Sequence, residues 1–205
     1  MTQPQKIITG IIIRIEKVKE RDARITITTE DGLEMLYAAG IFAPTAKLKS
    51  IIQLFNRAQF TCIGTKITGA TIMDNFTEIS KQIHRFYLAS AWADAVATLC
   101  KYSEDEEALE IYNHTGALYS MLAFTKTSAY PLFIFNFNRL LEFLGYGVDT
   151  ETEIFETIMQ IDETPPEELG DFKIGLASAK SALREISSAF IEHFDYKIPS
   201  INEFL

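Results

Sequence analysis

The feature that most constrains this chain is a change of hydrophobic period near Phe76. Before it, β-branched and apolar residues alternate with polar ones. After it, apolar residues recur at three- and four-residue steps. The first period belongs to half-buried strands and the second to amphipathic helices. The sequence therefore predicts an α+β protein, with a small β-barrel over residues 1–76 followed by an all-helical domain over 77–205. No Gly/Ser-rich linker divides the two parts, so they are expected to pack against each other.

In the first part, Ile7–Val18 reads as a long strand with Gly10 as its bending point. Ile25 and Ile27 alternate with Thr26 and Thr28, Glu30-Asp31-Gly32 reads as a tight hairpin, and Leu33–Ala39 returns as the partner strand. "IIQLFN" (51–56), "AQFTCIGT" (58–65) and "KITGATIM" (66–73) read as further strands, with breaks at Arg57, Gly64 and Gly69. Five or six short strands in roughly 75 residues suit a small closed barrel, of which the OB-fold is the leading member.

In the second part, Ile79, Ile83 and Phe86, then Trp92, Val96 and Leu99, mark a first helix face. Ser103 with Glu106 predicts a capping box opening a second helix, which buries Ala108, Ile111, Tyr112, Thr115, Tyr119 and Leu122. Pro131 and Gly145 bracket a third, strongly apolar helix expected at the bundle's centre. Thr150 with Glu153 predicts the cap of a fourth, Pro165-Pro166 a break, and Leu176, Ala179, Leu183, Ile186 and Phe190 the face of a fifth.

The formal charge of −9 conceals an asymmetry. Residues 1–76 hold ten Lys and Arg against seven Asp and Glu, a net of +3; residues 77–205 hold nine against twenty-one, a net of −12. Such a step predicts two parts with different partners. No apolar run approaches the roughly 18 residues of a membrane span, and the N-terminus does not read as a signal peptide. Cys62 and Cys100 stand apart with no CxxC, which fits a reducing cytoplasm and argues against a disulfide framework or a thiolate zinc site. His84, His114 and His193 fall on different helices without metal-ligand spacing. No G-x-S-x-G, Walker loop or G-x-G-x-x-G is present, so no catalytic residue, cofactor or metal ligand is assigned.

The basic segment "KVKERDAR" (17–24) supplies the candidate binding residues. Lys17, Lys19 and Arg21 alternate and would share one side of an extended segment, with Arg24 returned to that side by a bend at Asp22-Ala23. A closed barrel would bring Lys47, Lys49 and Arg57 to the same face, where all seven cations could neutralise phosphates. The plain alternative is a solvated turn with local pairs to Glu16, Glu20 and Asp22. "YPLFIFNF" (130–137) reads as a buried central helix, or alternatively as a groove for a partner peptide beside Tyr130.

Three segments resemble the RecO family of recombination mediators. "KERDARITITTEDGLEMLYAAG" (19–40) is similar to that family's first barrel hairpin, "NRLLEFLGYGVD" (138–149) to a helix ending in L-L-x-L-L-G-Y, and "SINEFL" (200–205) to a closing S-R-x-F-L. The resemblance implies an OB-fold, a helical domain, and a non-enzymatic role in DNA repair and recombination. It further implies binding of single- and double-stranded DNA, a RecR-like partner, and the acidic tail of single-strand binding protein. The sequence departs from the family in three places. Only Lys47 and Lys49 remain of the basic loop after Gly40, the four-cysteine zinc motif is missing from 150–163, and Arg139 is the single cation early in the third helix. Weak, salt-sensitive DNA binding by the barrel is the resulting expectation, with Arg139 and Tyr130 as partner-binding candidates. The alternatives are a protein-only scaffold of the same fold, or an OB-fold binder of another ligand such as RNA or an oligosaccharide.

Overall fold

Five strands build the N-terminal sheet of the computed structural model, which describes residues 4–126, 128–147 and 154–202. They are β1 (Gln5–Lys17), β2 (Ala23–Thr29), β3 (Gly32–Ala38), β4 (Arg57–Ile63) and β5 (Lys66–Asp74). Their hydrogen-bonded order is β1-β2-β3-β5-β4, and β4 returns to β1, so the sheet closes on itself. Closure rests on the length of β1. Its first half pairs with β4, from Gln5↔Ile63 to Ile11↔Arg57, and its second half with β2, from Ile11↔Thr28 to Lys17↔Ala23. Gly10 sits where β1 passes from one partner to the other. A Cβ there would lie 2.7 Å from Ile27 Cδ1 and 2.9 Å from the Thr28 carbonyl, so only glycine lets β2 come this close. The hairpin at Glu30-Asp31 forms as expected, with Gly32 at φ +107°.

Alternation explains which side each residue takes. Ile12 points into the barrel with Ile25, Ile27, Leu36 and Phe60, while Ile11 and Ile13 point out into the helices. Three consecutive isoleucines are therefore all buried, because β1 has a core on both faces.

Three strand expectations are corrected. Residues 51–56 are not a strand but the end of a turn-rich excursion, 39–56. Its Ile41 and Ile52 plug the barrel, and it rejoins β1 through Phe55 N–H to Ile12 O (2.8 Å) and Ile12 N–H to Asn56 O (2.9 Å). Phe55 has φ +74°, which breaks extended geometry, and Asn56 bonds its side chain to the Ile51 carbonyl and the Phe76 amide. Arg57 opens β4 rather than breaking it. Gly69 lies inside β5 opposite Thr61, beside a register shift that absorbs one extra residue.

Among the described residues five helices of eight residues or more follow, α1 (Ile83–Leu99), α2 (Asp105–Phe124), α3 (Tyr130–Phe143), α4 (Phe155–Asp162) and α5 (Leu176–Phe194), and then a single helical turn, Pro199–Asn202. A 3-10 turn, Thr77–Lys81, precedes α1 and carries Ile79, so Ile79 and Ile83 do not share a helix face; Ile83 is 60% exposed. The box that opens α2 is one residue later than the Ser103–Glu106 pair: Glu104 N–H donates to Glu107 at 2.9 Å, and Ser103 closes α1 by bonding the Leu99 carbonyl. The Thr150–Glu153 cap and the end of "SINEFL" lie outside the described residues. All six positions expected on the inner face of α2 are buried, as are Leu132, Phe133, Ile134, Phe137, Leu140 and Leu141 of α3, so "YPLFIFNF" is core and not an open groove. On α5, Leu176 is exposed and the rest of the expected face is buried.

The helical core is continuous with the barrel. Ile11, Ile13, Phe55 and Phe76 join Trp92, Tyr119, Phe133, Phe137 and Phe190 in one cluster, with Phe55 edge-on to Tyr119 at 5.1 Å. Arg14 of β1 pairs with Asp94 of α1 at 3.3 Å. Among the described residues, no helix is long and apolar enough to cross a membrane.

Candidate nucleic-acid interface

The basic segment is a turn and not a continuation of the strand. β1 ends at Lys17, and Val18 N–H reaches the Asp22 carbonyl at 3.1 Å, so the alternation of Lys17, Lys19 and Arg21 does not persist. All three are nevertheless exposed, Lys17 at the end of β1 and Lys19 and Arg21 in the short turn that follows it. Arg24 stands opposite Glu16 across β1 and β2 and is bound to it at 2.7 Å, which neutralises it in place.

Asp22 fixes the shape of this loop. Its carboxylate accepts the Tyr37 hydroxyl and the Gly40 amide, the latter at 2.7 Å, tying the β1–β2 turn to the end of β3. The Tyr37 hydrogen bond above all, then that of Gly40, hold the Asp22 carboxyl below the usual carboxylate range, with Lys19 and Lys66 adding positive potential. Tyr37 is pushed up in return by the same carboxylate. Phe42 N–H donates to the Arg21 carbonyl at 3.0 Å, and Lys17 Nζ lies 5.9 Å from the Phe42 ring. The excursion that carries the exposed Lys47 and Lys49 therefore starts against the basic turn.

The β4–β5 turn comes to the same end of the barrel. Tyr37 N–H donates to the Thr65 carbonyl at 2.8 Å, and Tyr37 pairs with Lys66 in register. Glu16, Arg24, Tyr37 and Lys66 thus form one row across four strands. The next row on the outer face of β2 and β3 is Thr26 with Met35, the latter 59% exposed. Sequence reasoning missed Asp22, Met35, Tyr37 and Lys66. Alternation gave the outward face of β2 and β3, but the pairing that brings β5 beside β3 is nonlocal and leaves no local mark.

Arg57 does not join this face, which corrects the seven-cation expectation. It pairs with Ile11, six residues before Lys17 on β1, or about 20 Å along an extended strand. Its guanidinium lies 5.1 Å from the Tyr112 ring of α2 and 3.5 Å from Asp74, so it serves the seam between barrel and helices. Arg139 is likewise engaged, bound to Asp162 at 2.6 Å and lying over Phe135, where it pins α3 to α4. Tyr130 begins α3 and is half-buried with its ring 6.5 Å from His84. Burial pushes the Cys62 and Cys100 thiols up, Cys100 to about 11. Compared with known proteins, the chain matches no family model and no curated protein.

Proposed function

We propose that this chain is a RecO-like, non-catalytic module of recombinational DNA repair in the cytoplasm. On this reading an OB-fold barrel binds single- and double-stranded DNA weakly and electrostatically. The helical unit would meet protein partners such as a RecR-like protein and single-strand binding protein. The observation that carries the reading is the meeting of the β1–β2 and β4–β5 turns beside Tyr37, at one end of the outer β2–β3 face. OB-folds take oligonucleotides on that strand face between those two loops. Lys17, Lys19, Arg21 and Lys66 supply phosphate contacts there, and Tyr37 and Met35 supply apolar surface for bases.

The protein-only scaffold is the second reading, and one observation favours it: Arg24, Arg57 and Arg139 are each spent on a carboxylate of the chain itself. Titration of a labelled single-stranded oligonucleotide at low and moderate salt separates the two. If three to five phosphates are neutralised, a fourfold rise in salt weakens binding roughly 20- to 100-fold. Absence of binding at low salt would leave the scaffold.

A further inference from the structure

The acidic helical unit carries a small notch that the DNA-binding reading does not use. It is lined by Leu99, Tyr102, Ser103, Glu107, Leu144, Tyr146 and Phe194, and its volume is about 40 Å³. Tyr102 is 67% exposed although its ring lies 6.0 Å from Phe194, which in turn meets Tyr146 edge-on at 4.8 Å. Three aromatic rings and one carboxylate, Glu107, therefore border a single recess.

Backbone electrostatics point the same way. The C-terminal ends of α1, α3 and α5, at Leu99, Phe143 and Phe194, converge here, and the C-terminal end of a helix carries partial negative charge. No basic residue stands in the last turn of α1 or α3. The last turn of α5 has His193, whose ring lies 4.7 Å from that of Tyr146 and tilted to it. Elsewhere the fold does supply such a cation: buried Arg85 donates to the Ala123 and Thr125 carbonyls at the end of α2. The N-terminal end of α2 also faces the notch, but its acidic residues, Glu107 among them, offset its positive pole.

We propose that this notch is a docking site for the ammonium of a lysine side chain on a basic segment of a partner protein. Tyr102, Tyr146 and Phe194 supply aromatic rings whose faces attract a cation, and Glu107 and the convergent helix ends supply negative potential. The recess suits a compact ammonium better than a planar guanidinium, and a net charge of −12 over residues 77–205 draws basic partners and repels DNA. The site is independent of the barrel's cations, so its fate and that of the DNA-binding reading are separately measurable.

The test is calorimetric titration of the full chain at low salt with a blocked peptide of alternating Lys and Gly, and with its acetyl-lysine counterpart. The Lys peptide is expected to bind saturably and the acetylated one not. Tyr102→Ala, which removes an exposed ring and leaves the core intact, should weaken binding about fivefold, whereas Tyr102→Phe should stay within about twofold. Glu107→Gln, which keeps an acceptor for the Glu104 amide, should also weaken it. Equal affinity in Tyr102→Ala and the native chain would overturn the site, as would the absence of saturable binding.

Discussion

The barrel and the helical bundle are filled differently. The barrel interior is aliphatic, built on Ile12, Ile25, Ile27, Leu36 and Ile67 with Phe60 as its single aromatic ring. The bundle is aromatic, with Trp92, Phe133, Phe137 and Phe190 packed edge-to-face or tilted through its centre and Phe55 and Phe76 entering from the barrel side. A narrow closed sheet takes short branched side chains, whereas helices about 8–10 Å apart leave gaps that rings fill. Charge divides along the same line. The cations closest to the helices, Arg14 and Arg57, are bound to the bundle or stacked on it. Those left exposed stand at the far end of β1 and in the loops beyond. The comparison teaches that the partners a cation meets in the fold, the bundle for Arg14 and Arg57 and Glu16 for Arg24, decide which cations are available to a ligand.

The largest effect expected is from Trp92→Ala. Trp92 is fully buried, meets Phe133 and Phe137 edge-on, and donates its indole N–H to Thr115 at 2.9 Å. The loss should be about 3–5 kcal/mol in urea unfolding. Because the aromatic cluster includes β1 residues, barrel and bundle should still unfold in one transition, and two separated transitions would break the comparison. Phe55→Ala removes the ring that the barrel inserts between Phe86 and Tyr119 and should cost about 3 kcal/mol. Phe55→Gly should be no worse, since φ +74° suits glycine and strains alanine.

Thiol labelling sharpens the same comparison with one probe in each half. With its pKa at about 11, Cys100 should alkylate at pH 8 roughly 200-fold more slowly than a free thiol from its thiolate fraction alone. Cys62 is fully buried in the barrel and should be protected too. If the halves open as one unit, both labelling rates should rise together as urea is added.

A smaller, local effect is expected on acidification. Asp22 binds a proton less readily in the fold than in the unfolded chain. Its stabilising contribution is therefore complete above the ordinary carboxylate pKa of about 4 and is lost as pH falls through the lowered folded value. Protection of the Gly40 amide, relative to its intrinsic exchange rate, should fall in that acid range before that of the β3 amides does. Asp22→Asn should show fast exchange at neutral pH, and no difference would remove Asp22 as the latch.

Period and punctuation carried much of this fold. The β1–β2–β3 meander, the α2 face and the Pro131–Gly145 brackets were legible because each rests on local signals: alternation, a hairpin glycine, or a helix stop. Residues 51–56 read as a strand because "IIQLFN" has strand composition, and the positive φ at Phe55 and the side-chain bonds of Asn56 turn them aside. The candidate site was half legible. Composition exposed the cations, but the fate of Arg57 and the arrival of Lys66 beside Tyr37 depend on contacts between residues far apart in the chain.

The central claim is that the exposed turn cations, and not those held at the seams, meet nucleic acid. Oligonucleotide titration across a salt series tests it in three proteins: the native chain, Lys17→Ala/Lys19→Ala/Arg21→Ala, and Arg57→Ala/Arg139→Ala. The account predicts that the turn variant lowers the magnitude of the log-affinity against log-salt slope by about 2 on a single strand, while the seam variant keeps the native slope. An unchanged slope and affinity in the turn variant, with its fold intact by circular dichroism, would contradict it.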